Sequence, residues 1–91
     1  GMARRLPPLV ALRAFEASAR LGSHRRAAEE LCVDHTVISK HIRKLEQDVG
    51  TQLMTTGPTG TQLTAAGAEY FQRISEALGV IATATQRLRE R

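Results

Sequence analysis

The sequence predicts a mostly α-helical single domain: three short helices, a small β-hairpin and one long terminal helix. Three observations carry this. Ninety-one residues fill one hydrophobic core, because single cores fall between about 50 and 200 residues and longer chains split. A two-domain enzyme is excluded. Hydrophobic residues make up 42% and aromatics only 3% (Phe15, Tyr70 and Phe71, with no Trp), so the chain packs with Ala, Leu, Val and Ile, which suits helices better than a β-sandwich. Its apolar residues recur at steps of three and four, except between Gly50 and Thr64.

Pro7 and Pro8 stop any preceding helix and suit the first turn of a new one, after which Leu9, Leu12, Phe15 and Ala19 share a face. Helix 1 is expected from Pro8 to Arg20. Leu21-Gly22 ends it, and Ser23 is the N-cap of a two-turn helix 2 with Ala27, Ala28 and Leu31 inward. Cys32-Val33 breaks that pattern. Asp34 offers the next N-cap, and Ile38, Ile42, Leu45 and Val49 step by four, three and four through helix 3, His35 to about Asp48, with Gly50 as its stop. The Thr-rich runs Leu53–Thr56 and Thr61–Leu63 flank the turn signal Gly57-Pro58-Thr59-Gly60, which predicts a small hairpin, with an irregular loop as the alternative.

Thr64 caps a last helix from Ala65 to about Arg89. Phe71, Ile74, Leu78, Ile81, Thr85 and Leu88 then form a heptad seam. About 25 residues make a helix nearly 40 Å long, which overshoots the compact three-helix unit, so something else covers the stripe. Pairing with a second copy is the preferred reading, and folding back over its own domain the alternative. Thr85 interrupts the seam, which runs under three heptads and predicts a weak dimer for this helix alone.

Thirteen Lys and Arg against nine Asp and Glu leave +4. Residues 1–46 hold nine bases and five acids, whereas 47–91 hold four of each. The net charge thus lies in the first half, and points to an anionic partner, nucleic acid or membrane lipid. A lone cysteine, Cys32, makes neither an internal disulfide nor a Cys-rich zinc site and fits a reducing cytoplasm; it reads as a small buried hydrophobe. No apolar run approaches the roughly 20 residues of a membrane span, and no signal peptide is recognisable. A soluble cytoplasmic chain is expected, with Gly1 ahead of Met2 read as a tag remnant.

Residues 28–42 carry the main functional signal. Ala28 is small where two backbones approach, a three-residue break follows Leu31, and Val33, Ile38 and Ile42 fill a corner. Two helices crossing steeply through a tight turn need this pattern, a helix-turn-helix. With the apolar residues of helix 3 inward, its period puts Thr36, Ser39, Lys40 and Arg43 outward, beside His35. Hydroxyls, Lys and Arg there can reach base edges and phosphates in a major groove, and the helix N-terminus adds unpaired N–H groups. A merely solvated face has the same composition; the turn spacing, the basic first half and the seam favour nucleic acid.

These residues resemble the N-terminal domain and linker helix of the LysR-type transcriptional regulators. The resemblance runs from Leu6 to about Leu88 and rests on Leu9-Val-Ala-Leu-Arg-Ala-Phe15-Glu, Gly22-Ser23, Ala27-Ala-Glu-Glu-Leu31, Val37-Ile-Ser39-Lys-His-Ile42-Arg-Lys-Leu45-Glu46, Gly50, Leu53 and Leu63-Thr64-Ala-Ala-Gly67. Leu6-Pro-Pro-Leu and Leu12-Arg-Ala-Phe-Glu-Ala are similar to the branch of glycine-cleavage activators and β-lactamase regulators. The resemblance implies a winged helix-turn-helix over residues 6–63, after a basic arm over 1–5, and a dimerisation helix over 64–91. It places helix 3 in the major groove with His35, Thr36, Ser39 and Lys40 at bases and phosphates, and the hairpin as a wing near the minor groove. It also implies paired subunits on a partly palindromic double-stranded operator, a tetramer in a longer protein, and an effector-binding domain after Arg91 that is absent here.

Departures matter as well. The family usually has Phe where His24 stands, and a buried imidazole needs a hydrogen-bond partner, so a looser corner is expected. The hairpin carries Met54, Thr55, Thr56, Thr59 and Gln62 where the family has Phe and Arg, so its anchoring by Thr56 and Thr59 is expected to be weak. Arg25, Arg26, Arg4 and Arg5 compensate from the other side. Cys32-x-x-His35 supplies two ligands where a metal site needs three or four, so no metal or other cofactor is expected. Gly57-Pro-Thr-Gly60 mimics an RNA-binding GxxG loop, but Pro58 argues for a plain turn. No nucleophile has a base and an orienting partner, and no Gly-rich phosphate loop precedes a helix, so an enzyme has no support. A helical module recruiting another protein through the seam remains the second function class.

Overall fold

The computed structural model describes residues 4–91, and the remnant expected at Gly1 lies outside them. The elements run α1 (Leu9–Leu21), α2 (His24–Leu31), α3 (His35–Val49), β1 (Met54–Gly57), β2 (Gly60–Leu63) and α4 (Ala65–Arg89). Every expected helix is present within a residue or two of its expected ends. The stretch left open between hairpin and loop is a hairpin, with Met54 opposite Leu63, Thr55 opposite Gln62 and Thr56 opposite Thr61.

The caps explain the boundaries. Ser23 accepts the Arg26 N–H at 3.1 Å and Thr64 accepts the Gly67 N–H at 3.0 Å, each meeting one of the unpaired donors at a helix start. Asp34 holds the N-cap position of α3 but its side chain makes no capping bond, contrary to expectation. At the other ends, Gly22, Cys32 and Gly50 all adopt the left-handed conformation, and the following N–H reaches back five residues: Ser23 to Ser18 O, Val33 to Ala28 O, Thr51 to Glu46 O. Cys32 is the one non-glycine residue so placed among the described residues, at φ 58°.

That position corrects two expectations in the turn. Cys32 is exposed, not buried, because the left-handed cap turns its side chain out of the corner. Val33 follows it outward at 40% exposure, and the corner is filled instead by Ala27, Ala28, Ile38 and Ile42. Val49, expected inward, is 39% exposed, since α3 there outruns the helices that cover Ile38, Ile42 and Leu45.

The core is built around fully buried Phe15, with Ala11, Ala14 and Ala17 letting α2 and α3 approach α1 closely. Phe15 meets Tyr70 at a centroid distance of 5.7 Å and Phe71 at 6.4 Å edge-on, so the chain's three aromatics clamp the start of α4 to α1. Gly67 permits this approach: a Cβ there would overlap the Leu53 carbonyl oxygen and stand 2.7 Å from its carbonyl carbon. On the surface, Arg20 bridges Glu16 of its own helix and Glu30 of α2. Hydrogen bonds from Arg20 hold the Glu30 carboxyl below its usual range. Arg20 and Glu30 are well exposed, so that pair contributes little to stability.

Candidate nucleic-acid interface

The elements above leave one face of α3 uncovered. Ile38, Ile42 and Leu45 are buried against α1 and α2, which turns Thr36, Lys40 and Arg43 to solvent, with His35 exposed in the first turn. Ser39, expected on the same outer face, is half-buried because it faces the base of the hairpin.

Two clefts flank α3 on its hairpin side. The first, of about 430 Å³, lies between the first turn of α2, His35 and the hairpin residues Thr56, Gly57, Pro58, Gly60 and Thr61. Arg25 and Arg26 line it. The second, of about 480 Å³, lies between Ser39, Ile42, Arg43 and Glu46 of α3 and residues Gln52 to Thr56. Thr56 borders both clefts, whereas Thr59 sits in the exposed turn at the hairpin tip and lines neither. Of the residues singled out in sequence, His35, Arg25, Arg26 and Thr56 thus meet at one cleft, and Ser39, Arg43 and Thr56 at the other. Thr36 and Lys40 stand on the open face between the helix ends.

Hairpin and helix are held in register by residues whose roles were not legible in the chain. Glu46 Oε2 accepts the N–H groups of Leu53 and Met54 at 2.8 and 3.2 Å, so the end of α3 fixes the start of β1. A carboxylate at the last turn of a helix, just before a non-helical stretch, is the signal that could have found it. On the other strand, Thr61 N–H donates to Gly22 O at 3.1 Å and the Thr61 hydroxyl to Ser18 O at 3.2 Å. Gly60 makes room, since a Cβ on it would clash with the Gly22 carbonyl oxygen. The expected looseness at His24 is not seen: its Nδ1 is hydrogen-bonded to the buried Ser18 hydroxyl, and its ring lines both clefts. Burial, and then the neighbouring charge of His35, push the His24 imidazole below its usual pKa, with Glu46 acting in the opposite direction.

Residues 9–68 match the bacterial regulatory helix-turn-helix protein family, lysR. The chain belongs to the LysR family. It is 42% identical over 90 residues to the glycine cleavage system transcriptional activator of Escherichia coli, covering 99% of this chain and 30% of that protein. To the carbapenem-hydrolyzing β-lactamase transcriptional activator of Enterobacter cloacae it is 44% identical over 83 residues, 91% of this chain and 28% of the relative. The chain therefore spans less than a third of the length of these LysR relatives. The crystal structure of a CbnR_DBD-DNA complex superposes with a TM-score of 0.76 at 30% identity, over 89% of this chain and 93% of that one. The winged helix-turn-helix fold expected from sequence is thereby shown.

The seam on α4 is divided by this fold. Phe71, Ile74 and Leu78 are half-buried, Phe71 against Phe15, so the first part of the helix does fold back over its own domain. Beyond it, Ile81 and Leu88 are 53% and 66% exposed, and the half-buried Thr85 returns its hydroxyl to Ile81 O at 2.7 Å. Leu78 and Ile81 also border an open groove of about 380 Å³ with Leu9 and Leu31. Among the described residues, no helix is long and apolar enough to cross a membrane, and no group of three potential metal ligands occurs.

Proposed function

We propose that this chain is the DNA-binding part of a transcriptional regulator that reads a double-stranded operator sequence-specifically as a homodimer. The observation that carries the reading is the uncovered polar face of α3, with Thr36, Lys40 and Arg43 outward and the hairpin braced beside it by Glu46. An α-helix with that outer face fits a major groove, where Lys and Arg favour guanine edges and hydroxyls pair with several bases. His35, Ser39 and Thr36 contact bases and nearby phosphates, Arg25 and Arg26 hold the backbone on one side, and Thr56 and Thr59 approach it from the hairpin. The likeness to a DNA complex at 30% identity supports this, as do the relatives, which are transcriptional activators.

Residues 1–5 act as a basic arm, 6–63 as the DNA-binding head and 64–91 as the helix that pairs subunits. Of the expected seam, Phe71 serves its own core against Phe15, and pairing uses Ile74, Leu78, Ile81, Thr85 and Leu88; the exposure of Ile81 and Leu88 supports a partner over the distal half. Relatives about three times as long support further chain beyond this stretch; in the whole regulator we place an effector-binding domain there, and a dimer or tetramer acting in the cytoplasm. The test is a salt titration of binding to mixed-sequence duplex DNA. Affinity falling steeply with salt is expected, because phosphate contacts release counterions. Salt-insensitive or absent binding would leave α4 as a protein-recruiting surface.

A further inference from the structure

His24 stands where three elements meet. Its Nδ1 is tied to the fully buried Ser18 of α1, whose carbonyl oxygen in turn accepts the Ser23 N–H and the Thr61 hydroxyl, each at 3.2 Å. One residue pair thus joins α1, the start of α2 and the hairpin. The His24 ring lies edge-on to that of His35, with centroids 6.4 Å apart. Nε2 has no hydrogen-bond partner among the described residues. Of the two clefts that this ring lines, the one shared with the start of α2 carries two imidazoles, Arg25 and Arg26, and no acid, whereas the other includes Glu46.

We propose, resting on the nucleic-acid reading above, that this cleft seats one backbone phosphate of the bound duplex and that His24 takes up a proton from solvent as it does so. We assign the tautomer in which Nδ1–H donates to Ser18 Oγ in both charge states; the added proton then goes to Nε2 and makes it a donor toward the phosphate. The groups around the ring set the direction. From α1 it faces the neutral Ser18 hydroxyl, from α2 Arg25 and Arg26, from α3 His35, Arg43 and Glu46; the hairpin has no titratable side chain. Only Glu46 favours the cation, and its carboxylate already accepts two backbone N–H groups. Burial, and then the charge of His35, therefore lower the pKa of the ring and favour its neutral form in the protein alone. A phosphate in the cleft supplies the missing negative charge and raises the pKa of the bound state. Affinity gained in this way is fully present below the free-state pKa and lost as pH rises through the bound-state pKa.

The experiment compares the affinity of the chain for a mixed-sequence duplex between about pH 8 and about pH 6 at constant ionic strength. For the unsubstituted chain a gain toward low pH is expected that rises to at most about three- to tenfold, the limiting effect of a pKa rise of about half to one unit. His24→Gln keeps an amide for Ser18 but cannot titrate; it should lose the gain toward low pH. His24→Phe, a second variant without a titratable ring, should give the same flattened profile. His35→Gln removes one of the charges that disfavour the His24 cation, so it should bind more weakly and move the gain toward higher pH without abolishing it. A slope retained in both His24 variants, or a flat profile in the unsubstituted chain, overturns the inference while leaving DNA binding intact. No duplex binding at any pH in low salt overturns the nucleic-acid reading and this inference with it.

Discussion

Gly67 sits directly against the carbonyl of Leu53, so close that a Cβ on Gly67 would stand 2.7 Å from the Leu53 carbonyl carbon and 3.1 Å from its Cα. The same carbonyl oxygen accepts the Thr64 N–H at 3.0 Å, and Thr64 Oγ1 donates to Gln52 O at 2.8 Å while accepting the Gly67 N–H. The first turn of α4 is thereby fastened to the segment that leads into the hairpin. Both strands of the hairpin are then held at their bases, one by α3 and one by α4.

Replacing Gly67 with Ala should cost about 2–3 kcal/mol, in the range of core overpacking, because the obstacle is backbone and cannot rotate away. Urea unfolding measures it. A Gly67→Ala chain as stable as the unsubstituted one would show that α4 and the Leu53 segment are not in contact.

Glu46→Ala should leave the buried N–H groups of Leu53 and Met54 without their acceptor, at a cost of about 2–3 kcal/mol for bonds to a charged group. The loss is local as well as global. Amide hydrogen exchange at Leu53 and Met54 should accelerate more than at Ile38 or Leu45, whereas uniform acceleration would argue against a brace at the hairpin base.

Cys32 holds a left-handed cap at φ 58°, a conformation that costs an ordinary L-residue about 1 kcal/mol or more and glycine almost nothing. Cys32→Gly should therefore stabilise the chain by about 0.5–1 kcal/mol in thermal or urea unfolding, after the added freedom of the unfolded chain is subtracted. A destabilised variant would mean that the thiol has a packing role its exposure does not suggest.

Changing both Leu78 and Ile81 to Glu places two carboxylates in the groove shared with Leu9 and Leu31 and on the exposed stripe beyond it. Sedimentation should then show monomers where the unsubstituted chain shows a concentration-dependent dimer. Dimers that persist would refute pairing through this helix.

Much of the architecture was legible because it is written in local signals. Ser23 and Thr64 announce helix starts by their hydroxyls, and Gly22 and Gly50 announce helix ends by their freedom of backbone. The outer face of α3 followed from its period. What was not legible depends on distant partners. The choice between hairpin and loop is decided by Glu46, Gly60 and Thr61 meeting backbone groups on other elements, and no window around residues 53–63 contains Gly22 or Ser18. Phe71 fits a heptad seam as well as it fits a core, and only the position of Phe15 shows that it serves its own domain. Apolar patterning turns Cys32 and Val33 inward, yet the left-handed cap that turns them out is a backbone property that such patterning does not encode.

The central claim, that the outer face of α3 reads duplex DNA, is tested most directly by measuring duplex affinity against salt for the unsubstituted chain and for a Lys40→Ala, Arg43→Ala double variant. Both side chains are exposed, so the variant should keep its helical circular dichroism and its unfolding midpoint. If the two bases contact phosphates or base edges, affinity should fall at least tenfold and the slope of log affinity against log salt should become shallower by about one to two. An unchanged affinity and slope would contradict the claim.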